Sequence, residues 1–176
     1  SPYFIPGDKG TAALAAIAAK GVSVSVLTNS LAATDVAAVH GGYAHYRAPL
    51  LAAGIKLYEL RPDDQGNDFS LRGSSGASLH TKAFIVDGRI GFIGSMNLDP
   101  RSISLNTEMG VLFESEALAA KMETVWQRSI APSRSYTVRL TQERKLQWSG
   151  IVDGKTMIYA EEPETSVWRR AVARII

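Results

Sequence analysis

The sequence contains no cysteine in its 176 residues, and this absence removes several kinds of chemistry at once. The chain can form no disulfide, offers no thiolate nucleophile and cannot build a zinc–cysteine site. Long apolar runs are also lacking, because a membrane-spanning helix needs about 20 such residues and the longest obvious run is 12-AALAAIAA-19. No signal-peptide pattern is visible either.

A strong excess of one charge is absent as well, since 19 basic and 17 acidic residues leave a net charge of +2. A dedicated nucleic-acid binder usually carries a denser basic surface, so the composition argues against a nucleic-acid partner. Hydrophobic residues make up 45% of the chain, which suits one globular domain with a sizeable core. We therefore expect residues 1–176 to form a single domain.

In the first third of the chain, apolar residues recur with helical and strand periods in turn. The pattern predicts strands over residues 2–5, 22–28 and 55–60, with helices over residues 11–20 and 35–53 between them. Pro49 should kink the second helix or split it in two. This order predicts an α/β sandwich in which a mixed, mostly parallel sheet is flanked by helices.

The rest of the chain begins with a polar, Gly- and Ser-rich loop over residues 61–76. Asp-Gly turns, the strongest short signal for a β-hairpin, follow in the segments 79–95 and 151–159. Between them, the pattern predicts a strand over residues 107–113 and a helix over residues 115–130. Residues 136–176 should form a C-terminal hairpin and a basic tail.

The most informative stretch is 80-HTKAFIVDGRIGFIGSMN-97. Side chains two apart on a strand share a face, so His80 and Lys82 should project together. An imidazole beside an ammonium suits attack on a phosphate ester, because the cation stabilises charge on the phosphate oxygens while the imidazole supplies a nucleophile or a proton. The hairpin should bring Ser95 and Asn97 near the same oxygens.

The turn itself does not explain these polar residues. The tail hairpin 151-IVDGK-155 repeats the Asp-Gly turn without a preceding histidine and lysine and without a following Gly-Ser-x-Asn. Asp87 alone is explained by its turn, and a lone histidine or lysine would most often be structural or solvated. The full arrangement of six residue types is what calls for a function.

This arrangement, H-x-K-x4-D-x6-G-S-x-N, is similar to the signature of the phospholipase D superfamily. The flanking segments 41-GGYAHYRAPLLAAGIKLYEL-60 and 161-EEPETSVWRR-170 resemble the second half of bacterial cardiolipin synthases and related phosphatidyltransferases. The resemblance implies a phospholipase D-like α/β/α sandwich. It also implies a phospholipid substrate and a covalent phosphohistidine intermediate, with neither metal nor cofactor.

The resemblance further implies a role for each matching residue. His80 would be the nucleophile or the general acid, and Lys82 would bind the phosphoryl group. Ser95 and Asn97 would orient that group through hydrogen bonds. Asp87 and Glu108 would hold the protonation state and the orientation of the histidine without contacting the substrate.

The superfamily needs two facing H-x-K sets, and this chain contains one. His40 and His45 lack the following lysine, so we interpret both as structural. Two explanations stay open: two copies pair across a two-fold axis, or the chain is the C-terminal half of a longer two-motif enzyme. The synthase-like flanks and the opening within a strand favour the second.

The leading functional hypothesis is phosphatidyl transfer between phospholipids. The parent protein would then contact the bacterial inner membrane peripherally, with Trp148, Trp168, Arg169 and Arg170 as candidate contacts, although this chain itself is expected to be soluble. The alternatives are a phospholipase D-type nuclease or phosphodiesterase working as a homodimer, and a half-domain that is inactive alone. The acceptor alcohol and the choice between synthase and lipase are left open.

Overall fold

A computed structural model describes residues 1–62 and 79–175. The helices are α1 (Gly7–Ala18), α2 (Ala37–Ala44), α3 (Arg47–Ala52), α4 (Pro100–Ser104), α5 (Glu116–Ser129) and α6 (Val167–Ile175). The strands are β1 (Ser25–Asn29), β2 (Lys56–Leu60), β3 (Lys82–Val86), β4 (Ile90–Gly94), β5 (Gly110–Glu114), β6 (Ser135–Leu140), β7 (Leu146–Val152) and β8 (Lys155–Tyr159). The loop predicted over residues 61–76 lies almost wholly outside the described residues.

The larger sheet has five strands in the order β1-β2-β6-β7-β8. Its apolar side chains form the core together with residues from the first helices and the N-terminal segment: Phe4, Tyr43, Leu50, Ile55, Leu57, Tyr136, Val138 and Trp148. Helix α3 packs on β2 and β6. The alternating burial of β2 and β6 therefore reflects one face turned toward this core.

The smaller sheet has three strands in the order β3-β4-β5. Lys82 pairs with Gly94 in the first ladder, and Gly94 pairs with Gly110 in the second. Helix α5 packs against β3 and β4, and its N-terminus is capped by the Ser115 hydroxyl, which accepts from the Leu118 amide at 3.3 Å. The small sheet thus aligns the motif strand with the two strands that follow it.

These pairings confirm a mixed sheet flanked by helices, but they correct the expected share of parallel strands. β1 and β2 are parallel, as predicted for the start of the chain. The other five ladders are antiparallel, so the predicted predominance of parallel pairs is wrong. Short connections account for the β3–β4, β6–β7 and β7–β8 ladders, because a tight turn can join only antiparallel neighbours. The β2–β6 and β4–β5 ladders join strands that are farther apart in the chain.

Two predicted elements differ from the structure by more than a shift of their ends. The predicted helix over residues 35–53 is split, but at His45 and Tyr46 rather than at Pro49. Pro49 lies in the first turn of α3, where the missing N–H costs no intrahelical hydrogen bond. Residues 2–5 make one parallel bridge, between Phe4 and Leu98, instead of a strand.

A group of charged and polar side chains is buried beside the five-stranded sheet, and we call it the Arg47 cluster. Arg47 is 1% exposed and Glu59 is fully buried. Arg47 Nε lies 2.8 Å from Glu59 Oε1, and Arg47 Nη1 donates to Glu162 Oε1 at 2.9 Å. Trp148 Nε1 donates to the other Glu59 oxygen at 2.9 Å, and Arg47 Nη2 meets His40 Nε2. The cluster therefore links α2, α3, β2, β7 and the C-terminal segment.

Candidate active site

Lys82 is the first residue of β3, and His80 lies two residues before that strand, although the sequence predicted both on one strand. His80 is exposed and Lys82 is partly exposed, so a substrate can reach both. The Lys82 ammonium donates to the backbone carbonyl of His80 at 2.9 Å, which keeps the cation next to the histidine. None of the described residues donates to or accepts from the His80 imidazole, so the ring is available to a substrate.

The charge of Lys82 is governed by its surroundings. Partial burial lowers the pKa of Lys82, while the carboxylates of Glu108 and Asp35 oppose this shift. Both acidic groups therefore lie close enough to stabilise the ammonium. Partial burial thus leaves the Lys82 ammonium partly desolvated, and desolvation strengthens its attraction for a phosphate.

Ser95 and Glu108 form the second part of the site. The Ser95 hydroxyl donates to Glu108 Oε2 at 2.5 Å, and it accepts from the Met109 amide at 3.0 Å. Asn106 Nδ2 donates to the other carboxylate oxygen at 3.2 Å. The hydrogen bonds from Ser95 and Asn106 lower the pKa of Glu108, so this carboxylate stays ionised beside Lys82.

Two glycines explain how the strands approach each other here. A Cβ on Gly94 would lie 2.5 Å from the Met109 carbonyl oxygen and 2.8 Å from Gly110 Cα. A Cβ on Gly110 would lie 2.3 Å from the ring of Phe92. Larger residues would therefore push β4 and β5 apart, and the hydrogen bonds between residues 95 and 109 would lengthen.

Asp87 is not brought to this site. It occupies the turn between β3 and β4 with a φ of 51°, followed by Gly88 with a φ of 62°. At about 3.3 Å per residue, its Cα lies roughly 16 Å along the strand from Lys82. The conformation of the hairpin accounts for Asp87, so the expected support for His80 does not come from this carboxylate.

Asn97 lies near the site but makes no hydrogen bond through its carbonyl oxygen in the described part of the chain. Oδ1 of Asn97 is buried, and a buried acceptor without a partner is unfavourable. The expected role of Asn97 in orienting a phosphoryl group stays a prediction.

Three residues near the site were missed by the sequence analysis. The Asp35 carboxylate raises the pKa of Lys82. Asn106 donates a hydrogen bond to Glu108, and Asn29 binds the backbone of Leu79. The signal for Asn29 was present in 28-TNS-30, a polar group at the carboxyl end of a parallel strand, where ligand sites of α/β folds usually lie. Asp35 and Asn106 carried no comparable signal.

The other histidines and the tryptophans fall in different places. His40 is 3% exposed and Trp148 is 2% exposed, and both belong to the Arg47 cluster, so the structural interpretation of His40 is consistent with its position. Trp168 is 78% exposed. Burial and the nearby Arg47 cation lower the pKa of His40 to about 2.

Metal-ligating groups do not gather within residues 1–62 and 79–175: no three His, Asp or Glu side chains lie close enough to hold an ion. Across the same residues, no helix has the length and hydropathy needed to cross a bilayer. The groups that the site does present are the His80 imidazole, the Lys82 ammonium, the Ser95 hydroxyl and the Glu108 carboxylate. Such a set can attack a phosphate ester and neutralise the charge that develops on it.

The fold is that of a solved phospholipase D family member, Nuc from Salmonella typhimurium. The two structures superpose with a TM-score of 0.58 over 78% of each chain, at 20% sequence identity. This similarity confirms the expected phospholipase D-like fold.

A family model described as "Cardiolipin synthase, PLD-like domain" matches residues 1–130. The chain belongs to this family, as the sequence motif indicated. It is 44% identical over 179 aligned residues to cardiolipin synthase C of Escherichia coli (strain K12) and 31% identical over 153 to cardiolipin synthase A of Salmonella arizonae. The matches cover 99% and 87% of this chain. They span only 38% and 28% of those relatives.

Proposed function

We propose that this chain is one catalytic half of a phosphatidyltransferase of the cardiolipin synthase type. The enzyme would move a phosphatidyl group from one phospholipid to the hydroxyl of another. The observation that carries this proposal is that His80, which is exposed, lies two residues ahead of the partly exposed Lys82 at the start of β3, in a domain of the cardiolipin synthase family.

The proposed reaction has two displacement steps. In the first, an imidazole nitrogen bonds to phosphorus, the bond from phosphorus to the leaving alkoxide breaks, and a second histidine protonates that alkoxide. In the second, the same histidine takes the proton of the incoming hydroxyl, whose oxygen displaces the imidazole from phosphorus. His80 fills one of these two roles.

Lys82 would hold the phosphoryl oxygens and stabilise their charge in both steps. Ser95 and Asn97 would add hydrogen bonds to the same oxygens, and Glu108 would keep Lys82 and Ser95 in place. We assign no direct part to Asp87, because its turn holds it at the far end of β3.

The second histidine and lysine would come from another domain. The chain spans about a third of the length of the relatives it matches, which leaves room for a second motif in the same protein. The alternative is a second copy of this chain, paired about a two-fold axis. Either arrangement leaves an isolated monomer inactive.

Contact with a phospholipid surface is supported by apolar side chains around the site. The segment between β4 and β5, which contains Ser95 and Glu108, exposes four large ones: Leu98 (44%), Ile103 (63%), Leu105 (77%) and Met109 (83%). Apolar groups at this position would enter the interfacial region of a bilayer. We therefore propose peripheral association of the parent protein with the bacterial inner membrane.

The test is a transfer assay on the full-length parent protein with phosphatidylglycerol, alone and with phosphatidylethanolamine. We expect cardiolipin as a product, and we expect mass spectrometry after rapid quenching to find a phosphatidyl adduct on one motif histidine. His80→Ala should abolish turnover, while His45→Ala serves as the control because it changes an exposed histidine outside the motif.

Cleavage of DNA without formation of cardiolipin would overturn the lipid assignment in favour of a nuclease. Steady turnover by a monodisperse monomer of residues 1–176, abolished by His80→Ala, would overturn the requirement for a second motif.

A further inference from the structure

Asn29 connects the two sheets next to the site. It is the last residue of β1 and is 2% exposed. Its Oδ1 accepts from the Leu79 amide at 2.8 Å, and its Nδ2 donates to the Leu79 carbonyl at 3.3 Å. One side chain therefore binds both backbone polar groups of the residue that precedes His80.

This pair of hydrogen bonds takes the place of a backbone ladder. Among the described strands, β1 belongs to the five-stranded sheet and β3 to the three-stranded sheet, and no ladder joins them. The backbone at residues 79–81 also lies ahead of the first paired residue of β3, which is Lys82. The Asn29 amide thus holds a stretch of chain that the small sheet does not hold by itself.

Asn29 is itself held firmly. Asn29 pairs with Leu60 in the β1–β2 ladder, and its side chain is 2% exposed. A buried amide on a paired strand is a rigid anchor for the segment it binds.

We propose that Asn29 is a positioning residue for His80: its amide fixes the backbone of Leu79 and thereby sets the position of the catalytic imidazole. This inference rests on the proposed function, because it assumes that His80 reacts with the substrate. It adds a residue outside the H-x-K motif, on a different strand, to the catalytic apparatus. Misplacing a reacting group by about 1 Å costs about 100-fold in rate, so the anchor should act on catalysis.

The variant that tests this is Asn29→Asp in the full-length parent protein. The change keeps an acceptor for the Leu79 amide but sets a carboxylate oxygen against the Leu79 carbonyl. We expect kcat for phosphatidyl transfer to fall by about 10- to 100-fold, with KM changed less than about 2-fold, because Lys82 and Ser95 still bind the phosphate.

Thr28→Val is the matched control. Thr28 is the preceding residue on the same strand, is 3% exposed, and donates to the Pro2 carbonyl at 3.1 Å, away from His80. Urea denaturation measures the free energy of unfolding of Thr28→Val and of Asn29→Asp. At comparable stability, Thr28→Val should keep kcat within about 3-fold, and an equal fall in both variants would overturn the inference.

A second readout does not depend on the substrate. In residues 1–176, NMR hydrogen exchange should show a protected Leu79 amide that loses protection in Asn29→Ala and keeps it in Thr28→Val. The order parameter of the His80 ring should fall in Asn29→Asp and in Asn29→Ala and stay unchanged in Thr28→Val. An unchanged ring overturns the positioning role even if transfer activity is found. If the His80 ring becomes disordered in Asn29→Asp while the unmutated full-length parent protein shows no phosphatidyl transfer, the proposed function is refuted and the anchor stands.

Discussion

The Ser95 hydroxyl donates to the Glu108 carboxylate at 2.5 Å, across the end of the β4–β5 ladder. This bond is the first cause of the lowered pKa of Glu108. Ser95→Ala should therefore raise the pKa of Glu108 toward its ordinary value of 4.5. Titration of the carboxyl carbon by NMR measures the shift, and Ser104→Ala, at an exposed serine of α4, is the control. Equal pKa values in the two variants would show that the hydrogen bond does not form in solution.

The charge on Lys82 should respond to Asp35. Because the Asp35 carboxylate raises the pKa of Lys82, Asp35→Asn should lower that pKa further below its ordinary 10.5. The ammonium would then lose its proton at a lower pH, and KM for the proposed phospholipid substrate should begin to rise at a lower pH. NMR titration of Lys82 gives the direct measurement. Asp87→Asn is the matched control at the distant turn of the same hairpin, and an equal shift in both variants would contradict the described arrangement.

The Arg47 cluster should dominate stability. Arg47→Met leaves Glu59 buried without its cation, and breaking a buried ion pair typically costs about 3–5 kcal/mol. Arg89→Met breaks the ion pair between Arg89 and Glu114, in which the two side chains are 55% and 64% exposed. Exposed ion pairs of this kind contribute about 0–1 kcal/mol. Urea denaturation of both variants gives the two free energies of unfolding. Similar losses would mean that solvent reaches the Arg47 cluster.

Stability should also depend on pH through His40. Its pKa is about 2 in the folded chain and 6.5 in its ordinary state, so below pH 6.5 the unfolded state binds a proton that the folded state does not. The free energy of unfolding therefore falls as the pH decreases from 6.5 toward the folded-state pKa of about 2, with a limiting slope of about 1.4 kcal/mol per pH unit.

His40→Gln should remove most of this slope between pH 6 and pH 5, as measured by urea denaturation at each pH. His45→Gln is the control, because this ring is exposed in the folded chain. A slope that survives in His40→Gln would assign the pH dependence to another group.

Local features of the fold could be predicted from the sequence, and features that depend on distant residues could not. The hairpin around Asp87 follows from turn chemistry. The shared strand face of His80 and Lys82 stays a prediction, because β3 begins at Lys82 and His80 precedes it. The antiparallel insertion of β6 beside β2 is a long-range choice, which periodicity does not encode. The sequence pattern therefore predicted the strands on either side of the motif correctly, but the prediction that most strands pair in parallel was wrong.

The site divides in the same way. His80, Lys82 and Ser95 were found because they lie within 16 positions of one another in a recognisable pattern. Asn29 lies 50 positions before Leu79, so its role appears only when the end of β1 meets the start of the motif segment. Asp87 was assigned to the site because it belongs to the motif, whereas its backbone geometry places it in the turn.

The match to the family model ends at residue 130, yet the protein core extends beyond that point. Tyr136, Val138 and Trp148 are among its most buried residues, and Trp148 binds Glu59. A chimera joined at residue 130 would combine β2 of one parent with β6 and β7 of another, so side chains that pack together in this chain would come from different parents. Segment exchange among these enzymes should succeed only when the crossover also carries residues 131–162 along with the motif.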